Sequence, residues 1–176
     1  FGIGILNDTE ARSLHLAFAL FLAFTAWPAS ASSPRDRVPI VDWAFALAGA
    51  FADAYLLLFY RELALRPGQP TTMDIAVAVT GIVLLLEATR RSVGWPMAAL
   101  AALFIAYSMG GAFLPDVLSH KGASVSRLMS HMWLTTEGVF GIALGVSTGT
   151  IFVYVLFGTL LDRAGGGNYM MQVSFA

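Results

Sequence analysis

A serine flanked by glycines is the residue of this sequence that comes nearest to an enzyme nucleophile. Residues 145–149 read Gly-Val-Ser-Thr-Gly and fit the G-x-S-x-G pattern of hydrolases, with Ser147 as the nucleophile. His120 and His131 are the candidates for its general base. The pattern works only where a strand precedes the serine, and the residues before Ser147 are typical of a helix. We therefore keep an intramembrane hydrolase as a hypothesis and rank it behind two others.

An aspartate stands about halfway along an apolar run, residues 42–60. In a bilayer, the carboxyl group of Asp53 would cost about 2.5–3.5 kcal/mol unless it faced a partner, other helices or water. A coupling cation is one such partner, but a lone carboxylate lacks the converging oxygens of a cation site. We favour a structural position in a bundle interior and leave ion binding open. Helical spacing puts this residue on one seam with Asp42, Ala46, Gly49 and Ala50.

A second group of charges ends another apolar run. Glu87 precedes Arg90 and Arg91 by three and four residues, which is the favourable order for ion pairs on a helix surface. The arginines can extend to lipid headgroups while they partly neutralise the glutamate. We favour an anchor at the end of a helix over a clamp for a substrate carboxylate.

Composition excludes several other kinds of site. Cysteine is absent, so the chain has no disulfide, thiol nucleophile or cysteine-based metal site. The net charge is −1 and the ten basic residues are scattered, whereas nucleic-acid binding needs a basic face. We predict no catalytic, cofactor-binding or metal-binding residue and no nucleic-acid partner.

The elements that must hold these residues are membrane helices. Hydrophobic residues make up 57% of the 176 residues, charged residues 12%, and the mean hydropathy is +0.73. These values predict an all-α integral membrane protein. About five transmembrane helices are expected, at residues 13–28, 41–60, 73–92, 95–114 and 138–161. Lysine and arginine divide five to five between the two sides, so the positive-inside rule assigns no orientation.

The first of these helices has an alternative. Residues 14–27 are apolar and are followed by Pro28 and Ala-Ser-Ala, which imitates a signal peptide and its cleavage site. Asp8 and Glu10 stand where a basic region is expected, so we favour a membrane helix, with His15 as an interfacial residue. The chain begins with Phe1 and a new apolar pattern starts at 169, so we expect it to be a piece of a longer polypeptide.

Two further patterns concern packing. Residues 124–136 are amphipathic, with Ser124 as a candidate N-cap, and predict a helix that lies flat at the membrane surface. Its apolar side consists of Val125, Leu128, Met129, Met132 and Trp133. In the next span Gly141, Gly145 and Gly149 repeat every four residues, which predicts a face on which another helix packs closely.

Several strings, in their order and spacing, resemble one transporter family. They are ELALRPGQPTTMD at 62–74, EATRRSVGW at 87–95, LTTEGVFG at 134–141 and FVYVLFGTLLDRAG at 152–165. Together they resemble the fused permease of tripartite ATP-independent periplasmic (TRAP) transporters, TAXI branch, from about residue 40 onward. Residues 141–145 read GIALG where relatives tend to have GIPLG, which implies a weaker helix kink.

The resemblance implies a division of labour. Residues 1–118 resemble a four-helix small-subunit scaffold, 119–137 an interfacial connector, and 138–176 the first helix and turn of the large-subunit transport region. The implied activity is uptake of small organic acids across the bacterial inner membrane, driven by an ion gradient, with sodium as the expected coupling ion. Substrate and ion sites are expected downstream of Ala176. The implied partners are the remainder of the large-subunit region, a periplasmic substrate-binding protein and membrane lipid.

A hypothesis from another class stays open. The helices could form a purely structural or interaction module without transport activity, because these residues alone offer no converging polar pocket.

Overall fold

A computed structural model describes residues 7–29, 37–66, 68–111, 115 and 119–175, apart from the side chain of Asn168. This part of the chain is helical and contains no strand. The helices are α1 (Asp8–Ala26), α2 (Ile40–Leu65), α3 (Thr72–Ser92), α4 (Trp95–Gly110), α5 (Val125–Trp133), α6 (Ile142–Arg163) and α7 (Gly166–Ser174). Within α6 the segment Ser147–Ile151 is a π-helical turn. The all-α prediction is confirmed for the described residues.

Helix starts follow from local chemistry. At the start of α3, the Thr71 hydroxyl accepts a hydrogen bond from the backbone N–H of Asp74 at 3.3 Å. The Asp74 carboxylate accepts in return from the N–H of Thr71 at 2.8 Å, which completes a capping box. The chain enters α4 through Gly94, whose φ of +111° suits glycine, and Pro96 occupies the first turn.

Among the described residues, three helices are long and apolar enough to cross a membrane, namely α2, α3 and α6. They contain the predicted spans 41–60, 73–92 and 138–161, except that α6 begins at Ile142. The other two predicted spans are not confirmed. The 16 residues of α4 form a shorter apolar helix, and residues 112–114 of that predicted span lie outside the described residues. The 19 residues of α1 include three charged side chains near its start.

The core lies between α1, α2 and α3. Small residues let these helices approach each other: a Cβ on Gly49 of α2 would stand 3.3 Å from Leu20 of α1. Helix α4 lies on the outside, against α3 and α5, with Ala98 as its only buried residue. Buried apolar side chains of the three core helices include Leu20, Phe24, Ala46, Ala52, Leu56, Ala78 and Ile82.

The amphipathic segment is a helix with Ser124 as its N-cap, as predicted, although it ends at Trp133. Leu128, Met129 and Trp133 of its apolar side are buried against the bundle, whereas Val125 is 45% exposed. Trp133 is fully buried and its indole N–H donates to the carbonyl of Ala52 at 3.3 Å. A Cβ on Gly81 of α3 would overlap the same indole. The orientation of α5 relative to a membrane plane stays a prediction.

Helix α6 leaves the bundle. It contacts α1 through its residues up to Phe152, whose ring meets His15 edge-on, and none of its most apolar 18-residue stretch is buried. The short helix α7 packs on the end of α6.

Candidate functional site

A group of four charged side chains on α2 and α3, here called the charge cluster, lies at one end of the bundle. It consists of Asp42, Glu87, Arg90 and Arg91. Arg91, whose side chain is 2% exposed, donates to Asp42 at 2.7 Å and to Glu87 at 2.7 Å. Arg90 donates to both carboxylate oxygens of Glu87, at 2.7 and 2.6 Å. Each buried charge therefore has an opposite partner, which a charge removed from water requires.

Aromatic rings and backbone carbonyls complete the surroundings of this cluster. The guanidinium carbon of Arg91 lies 5.0 Å from the centre of the Phe24 ring, and that of Arg90 lies 5.2 Å from the Trp95 ring. Arg90 also donates to the carbonyl of Ala29 at 3.1 Å, just beyond α1. These contacts fasten α1, α2, α3 and α4 together.

The sequence indicated part of this arrangement. The pairing of Glu87 with both arginines follows from their spacing within one helix. The pairing of Asp42 with Arg91 was missed, because nothing local relates residues 49 positions apart. Since both arginines already have carboxylate partners, the cluster has the features of an anchor and offers no free cation to a substrate carboxylate.

Asp53 stands alone inside the bundle. It is 0% exposed, and neither carboxylate oxygen has a hydrogen-bond partner among the described residues. Asp42, on the same helix face, pairs with Arg91 and not with Asp53. The described residues hold no group of three or more metal-ligating side chains. Its interior location agrees with the prediction, and the converging oxygens of a cation site are not present in the described part of the chain.

A second polar cluster lies at the opposite end of the bundle. The Tyr55 hydroxyl donates to Asp74 at 2.6 Å, and the Arg66 guanidinium lies 3.7 Å from the same carboxylate. Arg66 also borders a cavity of about 200 Å³ together with Thr9, Tyr60 and Ser130. The sequence showed Asp74 only as part of a helix start, and no spacing rule connects it to Tyr55.

The start of α6 is fastened to α1 by an arginine. Arg12 donates to the carbonyls of Phe140 and Gly141 at 2.9 and 3.1 Å and pairs with Asp8. Gly141 is the N-cap of α6, and a Cβ on Gly145 would stand 2.8 Å from the Arg12 guanidinium. A Cβ on Gly149 would meet nothing within 4 Å. The three glycines therefore have three different surroundings, and their role as one helix-packing face stays a prediction.

Ser147 has a histidine neighbour, but neither of the two considered from the sequence. Its hydroxyl lies 3.2 Å from Nε2 of His15, whose ring meets Phe152 edge-on. His131 lies 3.3 Å from Glu137. His120 is engaged elsewhere, because Nε2 lies 3.1 Å from the Tyr107 carbonyl and Nδ1 accepts from the N–H of Gly122.

The geometry does not build a nucleophile elbow. Ser147 begins the π-helical turn within α6, where the elbow needs a strand before the serine and a helix after it. No carboxylate among the described residues hydrogen-bonds to His15. The contact between His15 and Ser147 is therefore a polar link between α1 and α6. The sequence analysis did not connect these two residues, although a histidine on an otherwise apolar helix indicates a polar partner.

Comparisons of the chain with protein-family models, with curated proteins and with solved structures found no match. The resemblance to TRAP permeases accordingly rests on the residue strings given above.

Proposed function

We propose that this chain is the membrane scaffold and first transport-region helix of a TRAP-type transporter that takes up small organic acids. Uptake would be driven by an ion gradient, with sodium as the expected ion, across a bacterial inner membrane. A periplasmic binding protein would deliver the substrate. The residues that hold substrate and ion would belong to the remainder of the large-subunit region.

The observation that carries the proposal is the contrast between the bundle and α6. Helix α6 is long enough to span a bilayer, and no residue of its most apolar stretch is buried against the bundle. Exposed apolar residues suit lipid, but Gly149 and Gly158, which have open space where a Cβ would be, also suit close packing by another helix. A membrane helix that is held only at its start fits the first element of a larger helical region.

The bundle itself has the features of a scaffold. The ion pairs of its charge cluster join α2 to α3 and balance each other, and the two arginines also contact rings of α1 and α4. A transport path needs polar groups that converge on a solute, and Asp53 has no such company among the described residues. These features favour a stationary scaffold over the part of a transporter that moves with its substrate.

The proposal includes five spans, with α1 and α4 crossing beside α2, α3 and α6. The 16 residues of α4 rise only about 24 Å at about 1.5 Å per residue, so this helix would need a locally thinned bilayer. In α1 the charged residues near the start would remain at the headgroups.

The test is uptake by the full-length protein in sealed liposomes. A carboxylate should accumulate only when an inward sodium gradient and the matching periplasmic binding protein are both supplied. Accumulation without the binding protein, or no accumulation of any of a panel of carboxylates with both supplied, would contradict the proposal.

A structural or interaction module is the second candidate. It is favoured by the same charge cluster, because a cluster whose charges pair with one another can hold helices together without binding a solute. Other helical membrane proteins that co-purify with this protein, together with no measurable uptake, would support the structural or interaction module.

A further inference from the structure

An open cavity of about 750 Å³ lies between the end of α4 and the polar side of α5, and we call it the basic cavity. It is bordered by Tyr107 and Ser108 of α4, by His120 and Lys121 of the connection, and by Arg127 and His131 of α5. It is separate from the charge cluster, which lies at the start of α2 and the end of α3.

The wall that carries Lys121 is fixed in place. The N–H of His120 donates to the carbonyl of Gly111 at 3.1 Å, and the N–H of Ala123 donates to that of Ser108 at 2.9 Å. The imidazole of His120 adds two more hydrogen bonds, since Nε2 donates to the Tyr107 carbonyl while Nδ1 accepts from Gly122. Lys121 is thus held at the rim by a connection that is bonded to α4 on both sides.

The cavity is positively charged. Lys121 and Arg127 are exposed, and neither forms an ion pair with any described carboxylate. The sequence from 117 to 136 contains no aspartate or glutamate. Asp116 lies outside the described residues, and among the described ones Glu137 lies 3.3 Å from His131. Two cations at one opening, neither of them paired with a described carboxylate, attract an anion, and a phosphate group matches both.

An apolar surface leads away from this opening. Leu100, Leu103, Phe104 and Tyr107 follow one side of α4 and are all exposed. A ligand that combined a phosphate with hydrocarbon chains would place its charge between Lys121 and Arg127 and its chains along α4. A soluble phosphate would use only the first of these features.

We propose that the basic cavity binds the headgroup phosphate of an anionic phospholipid, with Lys121 and Arg127 as its ligands and the exposed side of α4 along its acyl chains. This site depends on the membrane location of the helices and not on the transport activity, so it can be tested without a substrate.

The experiment titrates the purified full-length protein in neutral detergent with short-chain phosphatidylglycerol and follows the thermal unfolding midpoint. The double variant Lys121→Gln, Arg127→Gln should bind roughly 30-fold more weakly, because each basic residue near a headgroup contributes about a fivefold factor. The matched control Arg61→Gln, Arg163→Gln removes two exposed arginines outside the cavity and should bind as the wild type does. Added salt should weaken wild-type binding.

Further arms separate the sources of phosphate and guard against misfolding. Short-chain phosphatidylcholine and inorganic phosphate should each bind much more weakly than phosphatidylglycerol. The charge-preserving variant Lys121→Arg, Arg127→Lys should retain binding, so a general loss of structure would be recognised. Unchanged affinity in the glutamine variant, or equal affinity for phosphatidylcholine or free phosphate, would overturn the assignment.

Discussion

The ion pair between Arg91 and Asp42 joins the last turn of α3 to the first turn of α2, and it is almost completely removed from water. Removal of one partner leaves the other charge buried with less compensation. At the residue scale, we therefore expect this buried pair to contribute more to the stability of the bundle than an exposed ion pair such as Arg66 with Glu62.

Replacement of Asp42 by asparagine should lower the free energy of unfolding by about 3 kcal/mol, the scale found when a buried ion pair loses one member. Chemical denaturation in detergent, followed by circular dichroism, measures the change. The control is Asp162→Asn, whose carboxylate is on the exposed end of α6. Equal denaturation midpoints for the two variants would contradict the argument.

Asp53 should behave in the opposite way, because it has no described partner to lose. Asp53→Leu replaces an unsatisfied buried carboxyl group with an apolar side chain, so we expect unchanged or higher stability. Asp74→Leu, which deprives Tyr55 and Thr71 of an acceptor, should be clearly destabilised in the same assay. If sodium raised the unfolding midpoint of the wild type but not of Asp53→Leu, Asp53 would be an ion ligand after all.

What the sequence could tell about these residues depended on distance along the chain. Glu87 and its two arginines share one helix, so their pairing follows from spacing. Asp42 with Arg91, and His15 with Ser147, meet only because separate helices pack. The type of each residue was visible, but its partner was a property of the tertiary structure.

At the scale of elements, Gly81 shows how one helix makes room for another. The Trp133 indole of α5 occupies the space that a side chain at Gly81 would take. This contact explains why the apolar side of α5 covers the bundle. The amphipathic period of residues 124–136 predicted the helix and its cap, but period alone cannot distinguish protein from lipid on the apolar side.

The substitution Gly81→Ala should destabilise the bundle by about 1–3 kcal/mol, because the indole must move to admit a methyl group. Gly110→Ala in α4 is the matched control. It meets open space and should be neutral or stabilising by about 0.5–1 kcal/mol, since alanine favours a helix over glycine. Denaturant midpoints of both variants measure the difference, and similar values for the two would show that Gly81 is not a packing site.

For the whole molecule, hydropathy predicted the all-α class and the location of the long helices, and the number of membrane crossings stays a prediction. Helices α2, α3 and α6 are long enough to span a bilayer, whereas α4 is shorter and the first turns of α1 carry charged side chains. The length of an apolar segment and its charges can be read directly from the sequence. The location of α6 outside the bundle depends on which helix surfaces pack together, and the sequence does not show this.

The absence of cysteine makes the crossing of α6 directly measurable. Thr136→Cys and Arg163→Cys flank this helix, so in sealed vesicles a membrane-impermeant maleimide should label one directly and the other only after permeabilisation. Tyr154→Cys, near the middle, should be labelled in neither condition because a bilayer excludes the reagent. Labelling of both flanking positions from the same side would show that α6 does not span.

The charge cluster has a further consequence for a protein in an energised membrane. An electric field across the bilayer exerts force on net charge, about 2.3 kcal/mol for each elementary charge moved across 100 mV. Two arginines and two carboxylates lie together here and cancel. A change in membrane potential therefore exerts no net force on these four side chains taken together.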